Sequence, residues 1–244
     1  MSKFAIVWEP AGRSLSGLKL TRITDGDTPF IEMSIRLLSI DTPEVHYPGT
    51  ARPSKCDLLL AELSERIRLG EFSHLPPKLK QHLTKRLDER AGTRQAEQGE
   101  KAKEAFQKIL DIRLRKGRSG KRRFFIRTSD EIWDGHGRLL AYVSPEYEKD
   151  ERAKMTLYER RTFNLQLVEE GWAAPFMIYP SIPGPADLEL FWEVAREARL
   201  KRRGCYVEEK YLAGYEFRMA VKMARGEAKG PERYCASIRT GKLY

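Results

Sequence analysis

The sequence predicts an α+β fold: an OB-type, five-stranded β-barrel with packed helices and a helical insertion. Short β-like runs fill the stretch from Leu18 to Ile40 and return between Phe124 and Val143. Between them leucines recur at helical spacing, and further amphipathic helices follow. The order strands, helices, strands, helices, with a helix between the third and fourth strands, is the pattern of a scaffold that commonly binds nucleic acids and other ligands. At 244 residues the chain can bury a real core, as one elaborated domain or two small ones.

Each element has its own signal. Phe4 to Trp8 is a short β-like run closed by Pro10. Leu18 to Ile23 alternates apolar and polar positions, which suits a half-exposed strand, and Phe30 to Ile40 supplies two more. Pro43 and Pro48 end the regular pairing. From Ser54 to Gly92, Leu59, Leu60, Leu63 and Ile67 keep helical spacing until Gly70. Pro76-Pro77 then opens a second run through Leu79, Leu83 and Leu87. A third helix, Glu100 to Leu114, carries Ala102, Ala105, Phe106, Ile109 and Leu110 on one side. Lys116 to Arg123 is a basic turn. Phe124 to Thr128 and Leu139 to Val143 read as strands joined through Asp134-Gly135-His136-Gly137-Arg138. Leu157 to Glu170 reads as a helix stopped by Gly171, and Pro175 to Pro185 as irregular. Asp187 can cap a helix running to about Arg203, ended by Gly204. The tail predicts one more helix, from Glu208 through Met223, then a loop at Gly226, Gly230 and Pro231.

The net charge of +10 favours an anionic partner, and it is unevenly placed. Between Ala51 and Asp130 there are 21 Lys/Arg against 11 Asp/Glu, a surplus equal to the whole net charge. Three cysteines, Cys56, Cys205 and Cys235, form no metal-ligand spacing, and their odd number argues against a secreted disulfide framework. No stretch reads as a signal peptide or a membrane span, so a cytoplasmic location and no membrane partner are expected.

The densest chemistry lies in Asp25-Gly26-Asp27-Thr28 and in Arg36-Leu37-Leu38-Ser39-Ile40-Asp41-Thr42-Pro43-Glu44. Oxygen ligands for a hard divalent cation, a carboxylate base and a guanidinium are the parts needed to hydrolyse a phosphodiester. Asp27 and Asp41 stand fourteen positions apart across one hairpin. If they converge, a bound metal or a raised pKa must relieve their repulsion, and all-oxygen ligation suits calcium or magnesium rather than zinc. Strict alternation from Arg36 puts Asp41 on the opposite face. Both can serve one site only if the strand bulges, twists or ends before Asp41, and the Thr42-Pro43 step favours an end.

These motifs, with Gly137-Arg138-Leu139-Leu140-Ala141-Tyr142 and the stretch Asn164 to Ala173, resemble the staphylococcal nuclease (thermonuclease) family. The resemblance covers roughly residues 18 to 48 and 95 to 205. It implies a nuclease domain over residues 1–205, interrupted by an insertion at about 54–92 and followed by an extension over 206–244. By matched position, Asp27 and Asp41 look like carboxylate ligands of Ca2+, and Thr42 would add its backbone carbonyl. Glu44 resembles the general base, and Arg36 and Arg138 resemble the two guanidiniums that clamp the phosphate. His136, Tyr179, Lys121 and Arg122 are candidates for substrate contact. The implied activity is a calcium-dependent phosphodiesterase that hydrolyses DNA and RNA with low sequence specificity to 3′-phosphate products. The chain departs from the family pattern in a shorter hairpin between Asp27 and Arg36, with Pro29 directly after Thr28. Gly135 and His136 stand where a lysine and a tyrosine are frequent, and Met177 replaces one tyrosine of a pair.

Plainer readings use the same residues. The five charged groups would also serve as a salt-bridge network on a non-catalytic, OB-fold nucleic-acid-binding or scaffold module. The insertion reads first as a helical pad with an ordinary leucine core, and alternatively as a lid or a dimer interface. Lys116 to Arg123 suits a solvated turn as well as a phosphate contact. His136 is more often a polar turn residue than a general acid, and Tyr179 stacks a base or simply packs.

Overall fold

The computed structural model describes residues 17–227 and 234–244. The expected run Phe4 to Trp8 lies outside them, as do Gly230 and Pro231. In chain order come β1 (Lys19–Ile23), β2 (Pro29–Glu32), β3 (Ile35–Leu37) and β4 (Ile40–Asp41), then a 3-10 turn at Pro53–Cys56. The helices α1 (Asp57–Arg68), α2 (Pro77–Arg86) and α3 (Ala91–Arg113) follow. Next are β5 (Arg115–Lys116), β6 (Gly120–Lys121), β7 (Phe124–Trp133) and β8 (Leu139–Pro145), then α4 (Lys149–Lys154) and α5 (Phe163–Glu169). The chain closes with β9 (Ala174–Pro175), β10 (Met177–Ile178), α6 (Pro185–Leu200), a 3-10 turn at Gly204–Val207, α7 (Gly214–Ala224) and β11 (Cys235–Ala236).

The α+β class is observed, but the strands form several small sheets, and none closes into a barrel among the described residues. β3 lies parallel to β8, which pairs antiparallel with β7. Among the described residues β4 pairs only with β9, and β10 only with β11. The β1–β2 hairpin, again among the described residues, pairs only with itself, and every residue of both strands is exposed, where one buried face was expected. Its shortness and lack of a buried face leave it without apolar contacts to bind it into a larger sheet. The expected helix at 157–170 is shorter, because Thr162 accepts a hydrogen bond from Leu165 N at 3.2 Å and starts α5 there. Just before it, Thr156 and Glu159 bond each other in a separate turn.

Two apolar cores hold the molecule together. The first packs Ala141 and Val143 of β8 against Phe163, Leu167 and Val168 of α5, Phe191 and Val194 of α6, and Ile109 near the end of α3. The second takes Leu60, Leu63 and Ile67 from α1, Leu83 from α2 and Ala91 from α3, and joins them to Phe217, Ala220, Val221 and Ala224 of α7. The leucine spacing between Ser54 and Gly92 therefore builds a core, and the partner it packs on there is α7. Of the leucines expected in that core, Leu79 is exposed. α3 spans both cores and approaches the 3-10 turn so closely that a Cβ on Gly92 would stand 2.0 Å from the Pro53 carbonyl oxygen.

α7 is fixed from two sides. Phe217 is fully buried and meets the Tyr47 ring edge-on at 5.9 Å. Tyr215 stacks on Phe176, just after β9, at 4.9 Å and 7°. Exposing Phe217 and Val221 alone would cost roughly 3–6 kcal/mol, so undocked α7 is a rare state. Among the described residues no helix is long and apolar enough to cross a membrane.

Two outcomes are expected. Phe217→Ala should destabilise the protein by about 3–5 kcal/mol in urea unfolding, since it empties a closed core position. Asp88 accepts from Lys210 Nζ at 2.8 Å and pairs with Arg94 at 2.7 Å. Burial opposes its ionisation, but these hydrogen bonds outweigh it and bring the pKa down to about 2. A depressed carboxylate stabilises the fold above the ordinary value and loses that contribution as pH falls. Asp88→Asn should therefore cost about 1 kcal/mol at neutral pH, discounted for the half-exposed lysine, and the difference should shrink as pH falls below the ordinary carboxylate value and vanish only below about pH 2.

Candidate active site

Ser39 decides the geometry. It separates β3 from β4 with a φ of 63°, a left-handed backbone that residues bearing a Cβ rarely adopt. Its carbonyl accepts from Phe176 N at 2.9 Å, and its hydroxyl meets Tyr142 Oη at 2.5 Å. The twist at Ser39 resets the alternation that would have put Arg36 and Asp41 on opposite faces. Arg36 Nη2 lies 3.6 Å from Asp41 Oδ1. Fully buried Asn164 anchors the same stretch, donating to Leu38 O at 2.9 Å and Ala141 O at 3.1 Å and accepting from Val143 N at 3.0 Å.

Glu44 is placed by α3. A Cβ on Gly99 would stand 2.9 Å from the Glu44 carbonyl carbon, so only glycine lets the helix pass so close. In the amide orientation that satisfies both neighbours, Gln95 accepts from Glu44 N at 2.9 Å and donates to Leu212 O at 3.1 Å. One buried glutamine thus ties the Glu44 backbone to the segment leading into α7.

α7 then completes the site. Arg218 Nη2 donates to Asp41 Oδ1 at 3.0 Å, and Arg218 Nη1 donates to Glu44 Oε1. Two carboxylates and two guanidiniums, Asp41, Glu44, Arg36 and Arg218, form one cluster of no net charge. Asp41 is 5% exposed, whereas the other three side chains are 24–28% exposed. Burial raises the pKa of Asp41 and of Glu44, against the lowering effect of Arg218. Burial would lower that of Arg218, but Asp41 and Glu44 outweigh it and hold the guanidinium above its ordinary value. The first residue of α7 closes the far side: a Cβ on Gly214 would stand 2.4 Å from Thr42 O and 2.5 Å from Asp41 Oδ2. Asp41 Oδ2 is buried on that side, and a backbone hydrogen bond from Tyr215 in the first turn of α7 joins Arg218 in opposing the burial that raises the pKa of Asp41.

The other expected site residues are more dispersed. Arg138 precedes β8, whose register sets Leu140 opposite Arg36, so the two arginines lie close along adjacent strands. Its guanidinium is held by Asp134 through Nε at 2.7 Å and Nη2 at 2.6 Å. Burial opposes ionisation of Asp134, but hydrogen bonds from the side chain and backbone of Arg138 and from His136 N keep its pKa low. His136 is an exposed residue of that turn. Arg122 is committed to a bidentate pair with Glu151 at 2.7 and 2.8 Å, while Lys121 is exposed in β6. Tyr179 is exposed after β10, where its N–H donates to Tyr234 O at 3.0 Å. Asp27 lies in the exposed turn between β1 and β2 and accepts from Thr28 Oγ1 at 3.0 Å.

A calcium ion at the implied ligands would need Asp27, Asp41 and the Thr42 carbonyl facing one open position. Among the described residues no group of three or more His, Cys, Asp or Glu is placed to hold a metal. The Thr42 carbonyl and Asp41 Oδ2 face Gly214, and Asp41 Oδ1 faces a guanidinium. With α7 docked, these donors do not fit the ion.

The sequence profile described as "Staphylococcal nuclease homologue" matches residues 34–207. The chain belongs to that family. No curated protein matches the chain. Staphylococcal nuclease homologues are generally nuclease hydrolases, so membership suggests a nuclease or a nucleic-acid-binding module. The matched range contains Arg36, Asp41, Thr42, Glu44 and Arg138, but neither Asp27 nor Arg218. Arg218 and Gly214 escaped the sequence reading because they lie in the extension, outside the family's motifs. The available signal was a single arginine beside the apolar stripe Phe217, Ala220, Val221 and Ala224.

Asn164→Ala should leave buried Leu38 O and Val143 N without their Asn164 partner and take one of two donors from Ala141 O, which keeps Leu38 N. A loss of roughly 2–4 kcal/mol is expected in denaturant unfolding, with Asn164→Asp failing to restore it because a carboxylate cannot donate to Leu38 and Ala141.

Proposed function

We propose that the chain is a phosphodiesterase acting on DNA and RNA with little sequence preference. The observation that carries this reading is the cluster in which Arg36 pairs with Asp41 and Arg218 links Asp41 to Glu44, with Glu44 still partly open to solvent. Phosphodiester hydrolysis places a water in line with phosphorus and builds negative charge on the phosphoryl oxygens. Glu44 is the group able to take the proton of that water. Arg36 and Arg138 are the donors able to hold two phosphoryl oxygens with planar, forked hydrogen bonds that lysine does not offer. Water attacks phosphorus and the bond to the 5′ oxygen breaks, leaving a 3′-phosphate and, after protonation from solvent, a 5′-hydroxyl. Family nucleases typically use Ca2+, but the donors here do not fit that ion with α7 docked. An OB-like arrangement of the strands is part of the same proposal, and it follows from family membership.

The basic surplus between Ala51 and Asp130 supplies attraction to a polyanion without sequence information. Arg122 is already paired with Glu151, so Lys121 is the clearer candidate in that basic turn for contact with a phosphate backbone. Tyr179 offers an exposed ring for stacking.

One observation favours a second reading, a module that binds nucleic acid without cutting it: Arg218 is paired to both carboxylates. The two readings differ in product. Glu44→Gln should abolish cleavage of a labelled oligonucleotide while leaving binding in place, and Arg36→Ala should lower cleavage by about 10²- to 10³-fold. Undiminished cleavage by pure Glu44→Gln protein would remove Glu44 from the mechanism. Salt-sensitive binding by the native chain with no product would establish the second reading.

A further inference from the structure

The contacts of α7 carry an inference beyond nuclease function. We infer that Arg218 is a resident cation at the Asp41–Glu44 pair, standing in the electrostatic place of a divalent metal, so that the site works without calcium. The inference concerns the carboxylates used in the proposed mechanism, but it rests on the packing of α7 and not on the nuclease reading.

Three observations converge. The first is charge: Arg218 bridges Asp41 and Glu44, and Arg36 stands at the other side of Asp41, so both carboxylates are already compensated. A divalent ion beside Asp41 would meet an adjacent guanidinium and the repulsion between like charges. The second is space. Gly214 lies against Thr42 O and Asp41 Oδ2, the two oxygens an ion would require, and the backbone N–H of Tyr215, the next residue of α7, also bonds to the Asp41 carboxylate. The third is permanence. A helix acting as a lid would have to leave, and α7 has Phe217, Ala220 and Val221 sealed into the second core and Tyr215 stacked on Phe176. Gln95 adds a polar tie between Leu212 and Glu44. α7 is therefore part of the site's wall, and Arg218 is a positioning residue that holds Asp41 and Glu44 in place.

The test reads metal binding and does not depend on activity. The full chain, Arg218→Lys, Arg218→Gln and the double variant Arg218→Gln/Asp41→Asn are titrated with calcium chloride by calorimetry, with folding checked by circular dichroism. The native chain and Arg218→Lys should show no saturable calcium binding that depends on Asp41. Arg218→Gln should gain calcium affinity by at least about tenfold, and the added Asp41→Asn should abolish the gain. Saturable calcium binding by the native chain that Asp41→Asn removes would overturn the inference. A folded Arg218→Gln protein with no gain would also overturn it. Should Arg218→Gln not fold, the native-chain titration still decides. Where the native chain cleaves nucleic acid, cleavage should persist at full rate in excess chelator, and its loss there would overturn the inference. Absence of cleavage bears only on the proposed function and leaves the binding arms intact.

Discussion

The ion cluster of Arg218 with Asp41 and Glu44 is the contact on which the arrangement of this protein turns. A carboxylate as enclosed as Asp41 is costly to hold ionised unless a partner of opposite charge is held just as firmly. That partner comes from α7, which reaches the site only because its apolar face is buried among the helices of the insertion. The insertion and the extension lie far apart in sequence, yet neither completes the second core alone. Their shared core is what delivers a guanidinium to Asp41 and Glu44.

α3 transmits this arrangement. Its first turns belong to the second core, its last turns to the first, and between them Gln95 and Gly99 lie against the backbone of Glu44. A polar side chain buried at such a junction is tolerated because both of its groups find backbone partners. Glycine at the close approach removes the Cβ that would push the helix away. The first core, through Asn164 and Tyr142, fixes the other side of the same loop by holding Leu38 and Ser39. The site is thus clamped between two independently packed bodies, and neither of its carboxylates stands on a free loop.

The basic character of the chain is less available than its net charge suggests. Arg122 and Arg138 each satisfy a nearby carboxylate, and Arg94 is tied to Asp88. Bidentate pairing of this kind orders a turn or an interface and reduces the charge offered outward. Exposed lysines such as Lys121 keep theirs. The polyanion-binding surface is better read from those than from the arginine count.

Sequence alone determined the elements whose signals are local. Leucine spacing fixed α1 and α2, the proline pair opened the latter, and the motifs around Asp41, Glu44 and Arg138 identified the family later shown by the match over residues 34–207. The charged residues Arg36, Asp41 and Glu44 were legible as a group, and the structure brings them together. Local patterns do not encode which apolar face covers which. Only tertiary packing decided that α7 docks on α1 and α2, that Arg218 reaches both carboxylates, and that the β1–β2 hairpin carrying Asp27 pairs, among the described residues, with itself alone. The left-handed turn at Ser39 was equally hidden, because a serine there is strained until Tyr142 and Phe176 hold it. Periodicity reports what a segment buries, whereas the identity of its partner is set by contacts between residues more than a hundred positions apart.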